Sequence, residues 1–244
     1  MTEPNGRGVV QAVWILALAL IVSSLILGGS FYQARHSRAT VQVVGMASQP
    51  FEADQVKWSL GVGRTVPASL LSDGYVQINR DVESMVAGLV SAGIPRDAVV
   101  LQPVTTNPMY GSEGIREYQV NQTLYVVSED LDAVESLALA PSELLAEGLL
   151  LQNSRLHYFY SGLAEVKRTL LARATEDARM RAEEIASATG EGIEAIASAR
   201  AGVFQITEPF STDVAAYGIY DTSSRKKEIR VTVHAVFVIC LLYT

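Results

Sequence analysis

The sequence predicts an α+β protein with one N-terminal apolar helix of membrane-spanning length, followed by a folded domain in which strands alternate with helices. Three features lead there. No charged residue stands between Arg7 and Arg35. From Ala39 onward, apolar and polar residues alternate with a period of two, the mark of half-buried strands. Finally, Gly162 to Thr189 reads as one uninterrupted helix of roughly 40 Å at ~1.5 Å per residue.

Composition narrows the function classes. The chain has 244 residues, 49% hydrophobic and 18% charged, which suits one large or two small folded domains and excludes a disordered chain. Its 19 basic and 26 acidic residues give a net charge of -7 with no basic patch, so nucleic acid is not an expected partner. The single cysteine, Cys240, has no internal disulfide partner and falls in an apolar strand-like run, where a buried inert thiol is expected.

Residues 1–38 are predicted to form a membrane anchor and short linker, 39–240 the α+β domain, and 241–244 a tail. Val9 to Leu27 is long enough to cross a hydrocarbon core of about 30 Å. The residues expected in contact with lipid are Val9, Val10, Trp14, Ile15, Leu16, Leu18, Leu20, Ile21, Val22, Leu25, Ile26 and Leu27. We read this segment as an uncleaved anchor. A cleavable export signal is the alternative, with Gly28 and Ser30 as a weak small-x-small site. Arg7 on one side and Arg35 and Arg38 on the other leave orientation undetermined by charge.

Val41, Val43 and Gly45 mark a first strand, and Val56, Trp58, Leu60 and Val62 a second. Gly61-Val62-Gly63 is too short a match for a dinucleotide fingerprint, since Val66 occupies the third glycine position, and a strand with two small residues accounts for it better. Ser72 is placed to cap a helix with the stripe Tyr75, Ile78, Val82, Met85, Val86 and Leu89, ended by Gly93 and Pro95. Val99 to Thr106 and Glu117 to Val127 read as strands joined by an exposed loop, Asn107 to Arg116. The sequon Asn121-Gln122-Thr123 lies inside a strand pattern and is read as coincidence. A helix over Ser128 to Leu139 is broken by Pro141, with a further turn or two over Ser142 to Glu147. Leu156 to Tyr160 is a short aromatic strand whose Tyr158 and Tyr160 share a face.

Ser161 and Gly190 stand where the long helix needs its N-cap and its left-handed C′ residue. Its inner stripe is Leu163, Val166, Leu170, Ala174, Ala178, Ala182 and Ile185, narrowed to alanine so that the helix can lie close to a sheet. Lys167, Arg168, Arg173, Glu176, Asp177, Arg179, Arg181, Glu183 and Glu184 form the opposite, solvated face. Ile193 to Ile206 is extended, and Ile229 to Ile239 is the longest clean alternation, which predicts a central strand. Between them, Thr207 to Lys227 is too long for a simple connection. Its Phe210, Tyr217 and Tyr220 are either interface aromatics or part of a mobile loop whose aromatics fold back on their own sheet.

This order of elements resembles the SIMPL-domain family of bacterial envelope proteins over roughly Thr40 to Phe237. The residues that carry the likeness are Val41-Gln42-Val43-Val44-Gly45, Asp54, the alternating Val56 to Val62, and Tyr118 to Val127 before Asp130-Leu131-Asp132. The Ala172 to Gly190 helix adds Ala174, Asp177, Ala178, Arg181, Ala182, Ala186 and Gly190. Ala47 stands where the family often has a second glycine, Ala53 where a proline often precedes the aspartate, and Pro141 interrupts the second helix. The resemblance implies antiparallel sheets packed with helices, an exported or envelope-anchored domain on the extracytoplasmic side, homo-oligomeric assembly, a link to stress responses, and no established enzyme activity.

The residues themselves offer no catalytic framework. His36, His157 and His234 lack zinc-ligand spacing, and neither a G-x-S-x-G elbow nor a phosphate loop occurs, so no cofactor or metal is expected. Glu129, Asp130 and Asp132 cluster at a helix start, where the N-terminal dipole accounts for them. The expected function is a non-enzymatic, self-assembling, membrane-anchored scaffold. An extracytoplasmic hydrolase or small-ligand-binding protein with a site spread over loops is the alternative.

Overall fold

The structure, a computed structural model, describes residues 6–35, 39–145 and 149–240. His36 and Arg38 of the linker, Glu147 and the 241–244 tail lie outside the described residues. The chain divides into two compact units, one of Met1–Val43, Arg179–Ala199 and Ala235–Thr244, the other of Val44–Ala178 and Arg200–His234.

The first unit contains helix α1, Gly6–Arg35, in which the apolar run is helical throughout. The window best suited to crossing a membrane is Val13–Phe31, displaced toward the C-terminus from the expected Val9 to Leu27, and none of it is buried. Strand β1 (Thr40–Glu52) begins in this unit, and Ala39 accepts a hydrogen bond from the Ile239 N–H at 2.9 Å. Strand β7 (Gly192–Ala201) pairs with β10 (Lys226–Cys240). Cys240 is the last residue of β10 and is exposed, which corrects the expected buried thiol: the alternation that buries Phe237 ends before it.

The second unit is built on a five-stranded sheet: β2 (Gln55–Pro67), β3 (Val99–Leu101), β4 (Thr105–Gly111), β5 (Gly114–Ser128) and β6 (Leu150–Phe159). Its order is β3-β5-β2-β6, with β4 on β5, and every pairing is antiparallel. Helices α2 (Leu71–Ser91) and α3 (Leu131–Leu139) pack on it. Val56, Trp58, Leu60 and Val62 of β2 are fully buried among Ile78, Val82, Met85, Leu89, Leu124 and Val134. At ~25 cal/mol per Å² of apolar surface, this cluster is the main source of the unit's stability. The Trp58 indole N–H donates to Ser154 Oγ at 2.9 Å, so the largest core side chain leaves no polar atom unpaired. Above Gly63, the Gln152 amide donates to Asn121 Oδ1 at 2.5 Å, through space that a Cβ at Gly63 would fill.

Several boundaries differ from the sequence reading. Helix α2 starts at Leu71 out of a 3₁₀ turn, Ala68–Leu70, and no side chain caps it, so Ser72 is inside the helix. Its stripe buries Gly74 against Val66 and leaves Tyr75 exposed. The expected loop Asn107 to Arg116 is mostly strand, since β4 and β5 run to Gly111 and Gly114, the latter with a left-handed φ of 118°. Pro108 is tolerated because β4 pairs on one side only. Helix α3 begins at Leu131, with Asp130 Oδ1 accepting the Ala133 N–H at 3.1 Å as its N-cap. Ser128 belongs to β5 instead. A single 3₁₀ turn, Pro141–Leu144, follows.

The second sheet has the order β1-β10-β8-β9, with β8 Gln205–Thr207 and β9 Ile219–Tyr220. The long helix α4 spans Leu163–Ala188. Its buried stripe is Val166, Leu170, Ala174, Ala178, Ala182 and Ala186, so Ala186 takes the place expected of Ile185. Strict four-residue steps rotate about 40° each on a helix of 3.6 residues per turn, which carries the stripe past Ile185. Ser161 does not cap α4: its N–H donates to Asp54 Oδ1 at 2.8 Å and its hydroxyl to Asp54 Oδ2.

Helix α4 meets β1 at Gly45. A Cβ there would stand 2.1 Å from the Ala174 carbonyl oxygen, 2.4 Å from the Ala178 nitrogen and 2.7 Å from the Ala178 Cβ. Next to that crossing, Asp177 Oδ2 accepts the Met46 N–H at 2.8 Å. A side chain of the helix thus satisfies a donor on the outer edge of β1.

Candidate functional site

The segment between β8 and β10 gathers the features most open to function. It leaves the sheet after the buried Thr207 and returns at Ile219, where β9 pairs in parallel with β8. Gln205 clamps the loop from below, donating to Ala215 O at 2.8 Å and accepting the Ala215 N–H at 3.4 Å. Arg230 donates to Ser211 O at 3.4 Å, and Gly218, with φ 86°, closes the loop where a Cβ would meet Phe204 O at 2.7 Å. These anchors hold the backbone while its apolar side chains point away. Phe210 is 96% exposed and Tyr217 99%, with Val214 exposed between them. Neither aromatic folds back on its sheet. Tyr220, in β9, is less exposed at 47%. Phe210 also has φ 66°, an uncommon conformation for an aromatic residue.

Behind the loop lies a polar knot that the sequence did not signal. Lys227 is only 2% exposed and donates to Asp221 O at 2.6 Å and Asp221 Oδ2 at 3.3 Å. Burial pushes the Lys227 ammonium below its ordinary range, partly offset by Asp221. Burial would raise the Asp221 carboxyl. Hydrogen bonds from Ser224 and Ser223, with the Lys227 charge, outweigh it and hold the carboxyl well below the usual carboxylate range. Thr222 links the knot to β6, its carbonyl accepting the Tyr158 N–H at 2.8 Å and its hydroxyl lying 3.0 Å from His157 Nδ1.

Arg225 reaches the other way. Its guanidinium donates to Glu52 at 2.7 Å, Asp132 at 2.5 Å and Glu135 at 3.3 Å, and the bond to Asp132 is the main cause of its upward shift. The Tyr158 hydroxyl donates to Glu135 Oε1 at 2.9 Å, and burial first, then Glu135, pushes its pKa up to about 12. Tyr160, instead of joining the core beside Tyr158, packs on Phe51 with ring centroids 5.2 Å apart. Asp132 thus serves Arg225 as well as the α3 dipole.

A shallow groove of 560 Å³ runs beside the loop, lined by Met46, Val203, Val214, Ala216, Val231 and Arg230 among others. Lys227, Asp221, Tyr158 and Arg225 do not line it. Among the described residues, no group of three or more His, Cys, Asp or Glu is placed to hold a metal ion.

The lipid-facing residues predicted in α1 lie along one helix. Val10, Trp14, Ile15, Leu16, Leu18, Leu20, Ile21, Val22, Leu25, Ile26 and Leu27 are all exposed, and Val9 is in the same helix. An apolar helix with no buried face fits a membrane span or a signal anchor. The fold is therefore α+β, with sheets and helices following an N-terminal apolar helix long enough to cross a membrane. The chain belongs to the SIMPL family, described as a protein of unknown function (DUF541), whose pattern matches residues 41–237. No curated protein matches it. The residues that carried the resemblance have structural work here: Gly45 admits α4, Asp177 holds β1, Asp54 holds Ser161, and Gly190, with φ 78°, ends α4.

Proposed function

We propose that this SIMPL-family protein is a membrane-anchored scaffold of the extracytoplasmic side that assembles with itself and carries out no catalysis, with the loop of Phe210, Tyr217 and Tyr220 as a contact surface. The observation that carries this reading is the exposure of Phe210 and Tyr217 on an anchored backbone. Two aromatic rings held in water gain nothing in a monomer, whereas aromatic side chains are enriched at interface cores. A scaffold also accounts for the shifted groups, since each engages a neighbour: Lys227 with Asp221, Tyr158 with Glu135 and Arg225 with Asp132. Helix α1 supports a membrane anchor, and such anchoring raises the effective concentration of subunits. The extracytoplasmic side and the link to stress responses draw support from the resemblance to envelope proteins.

The test is the protein mass of the full chain in detergent micelles by light scattering, beside a variant with Phe210, Tyr217 and Tyr220 changed to serine. A multiple of 26.3 kDa that falls on substitution is expected. A mass of one chain for the unsubstituted protein across the micromolar range overturns self-assembly, and an oligomer indifferent to the substitutions removes this loop from the contact.

A further inference from the structure

We propose that the open face of the sheet formed by β2, β5 and β6 binds an acidic oligosaccharide, with one sugar residue seated over Gly61. The site lies within the second unit and does not depend on self-assembly.

The sheet has two faces of different chemistry. Val56, Trp58, Leu60 and Val62 of β2 enter the core on the side of α2 and α3. Side chains alternate along a strand, so Lys57, Ser59, Gly61 and Gly63 share the opposite face. The pairing register sets their neighbours: Ser59 lies between Tyr125 and Arg155, and Gly61 between Thr123 and Asn153. Arg155 and Asn153 are exposed, and Gly61, Thr123 and Tyr125 are half-buried, so this face is open.

Gly61 is the floor of a notch in that face. Toward one end, the Lys57 ammonium stands 4.0 Å from the centroid of the Tyr125 ring. Toward the other, Gln152 bonds to Asn121 across Gly63, and the irregularity in β6 pairing at Gly61 and Val62 falls beside it. Between these two covers, a Cβ at Gly61 would meet Asn153 alone, its nearest atom at 3.3 Å. A glycine inside a strand weakens it and often marks a place where a ligand approaches the backbone.

The groups around this floor are unpartnered. Ser59 is 9% exposed, and neither its hydroxyl nor the Thr123 hydroxyl, the Asn153 amide or the Arg155 guanidinium has a hydrogen bond or ion pair among the described residues. Ser59 carries the most weight, because a polar side chain withdrawn that far from water is ordinarily satisfied within the fold.

The donor set selects the ligand. Hydroxyls and an amide both donate and accept, as sugar hydroxyls require, whereas a guanidinium only donates and takes a carboxylate in a two-pronged grip. Charge points the same way. The chain has 26 acidic residues, yet the five strands of this sheet contain one, Glu117, which is six residues along β5 from Thr123, roughly 20 Å. Lys57 and Arg155 therefore make the face around Gly61 positive in a chain of net charge -7. A neutral sugar would leave Arg155 unused. Single-stranded nucleic acid needs several free aromatic platforms, and Tyr125 already carries Lys57.

Calorimetry on the full chain, in micelles of a detergent without a sugar headgroup, tests the site with tetragalacturonate. Saturable binding of one tetrasaccharide per chain is expected, weakening as salt is added. Arg155→Gln should weaken it roughly tenfold or more, the size of a hydrogen bond to a charged group, and Ser59→Ala or Thr123→Val several-fold each. Gly61→Val should abolish it by filling the floor. Arg168→Gln, which removes an exposed cation from α4, should leave it unchanged. No saturable binding at millimolar tetragalacturonate, binding indifferent to Arg155→Gln, or equal affinity for maltotetraose overturns the inference. So does equal competition by inorganic phosphate, which would mean a cationic patch only, or by an oligothymidylate, which would mean a nucleic-acid surface.

Discussion

Replacing Gly45 with alanine tests the close crossing of α4 over β1 by the sign of its effect. Gly45 has no left-handed φ, so alanine is conformationally compatible. In open space the change would stabilise the protein by about 0.4–1 kcal/mol, because alanine has less freedom to lose on folding. Here the new methyl would lie 2.1 Å and 2.4 Å from backbone atoms of Ala174 and Ala178, and backbone cannot rotate away as a side-chain tip can. Overpacking typically costs 1–3 kcal/mol, and two backbone clashes put this site near the upper end, at about 3 kcal/mol. At ~2–4 °C per kcal/mol for a domain of this size, Tm should fall by about 6–12 °C. The assay is thermal unfolding of the full chain in detergent, followed by fluorescence of the buried Trp58. Gly111→Ala, whose nearest neighbour would be Arg116 Cβ at 3.4 Å, is the control and should leave Tm within about 2 °C, since ordinary contact adds no overpacking. Ala178→Gly in the Gly45→Ala background should recover only part of the loss, because the backbone clashes remain. An unchanged or raised Tm for Gly45→Ala would refute the crossing.

Asp221→Asn should destabilise the domain by about 3–5 kcal/mol, since it leaves the buried Lys227 without its carboxylate, and adding Lys227→Met should recover much of that in urea unfolding. The Asp221 contribution is present above the ordinary carboxylate pKa and should be lost as pH falls below it toward the depressed folded value, an acid limb absent from Asp221→Asn. Burial, then Glu135, pushes the Tyr158 pKa from 10.0 up to about 12. Its contribution should be complete below pH 10.0 and lost as pH rises toward about 12, a limb worth at most roughly 3 kcal/mol that Tyr158→Phe removes. The full 26.3 kDa chain should stay with membranes through an alkaline carbonate wash. Leu20→Arg with Ile21→Arg should release it, because each arginine costs about 2.5–3.5 kcal/mol at mid-span. A shortened chain in the wash of the unsubstituted protein would instead identify α1 as a cleaved signal.

Elements with a clean period were legible. The alternation from Ile229 to Ile239 predicted a central strand, and β10 pairs with β1 on one side and β8 on the other. The alanine stripe predicted a helix lying close to a sheet, and Gly45 marks the place. Misreadings arose where tertiary structure overrode local chemistry. Pro108, Gly111 and Gly114 read as a loop, yet pairing with β5 turns most of that segment into strand. Ser161 had the chemistry of a helix cap, but Asp54, far off in sequence, takes its hydroxyl. Aromatic residues in a polar stretch gave the 208–218 loop away. Its anchors did not show, because the Gln205 clamp and the Arg230 bond depend on folded positions. Lys227 was the missed core residue: it shares parity with Ile229 and Val231, and that phase was the one signal that could have found it.

Subunit stoichiometry in a lipid bilayer tests the central claim most directly. With a fluorophore fused after Thr244 and the full chain reconstituted at low density, stepwise photobleaching counts the copies in each spot. Self-assembly predicts spots that bleach in two or more steps, at labelling efficiencies fixed by a monomeric control. Single-step bleaching throughout, at densities where a membrane-anchored oligomer should persist, would contradict it.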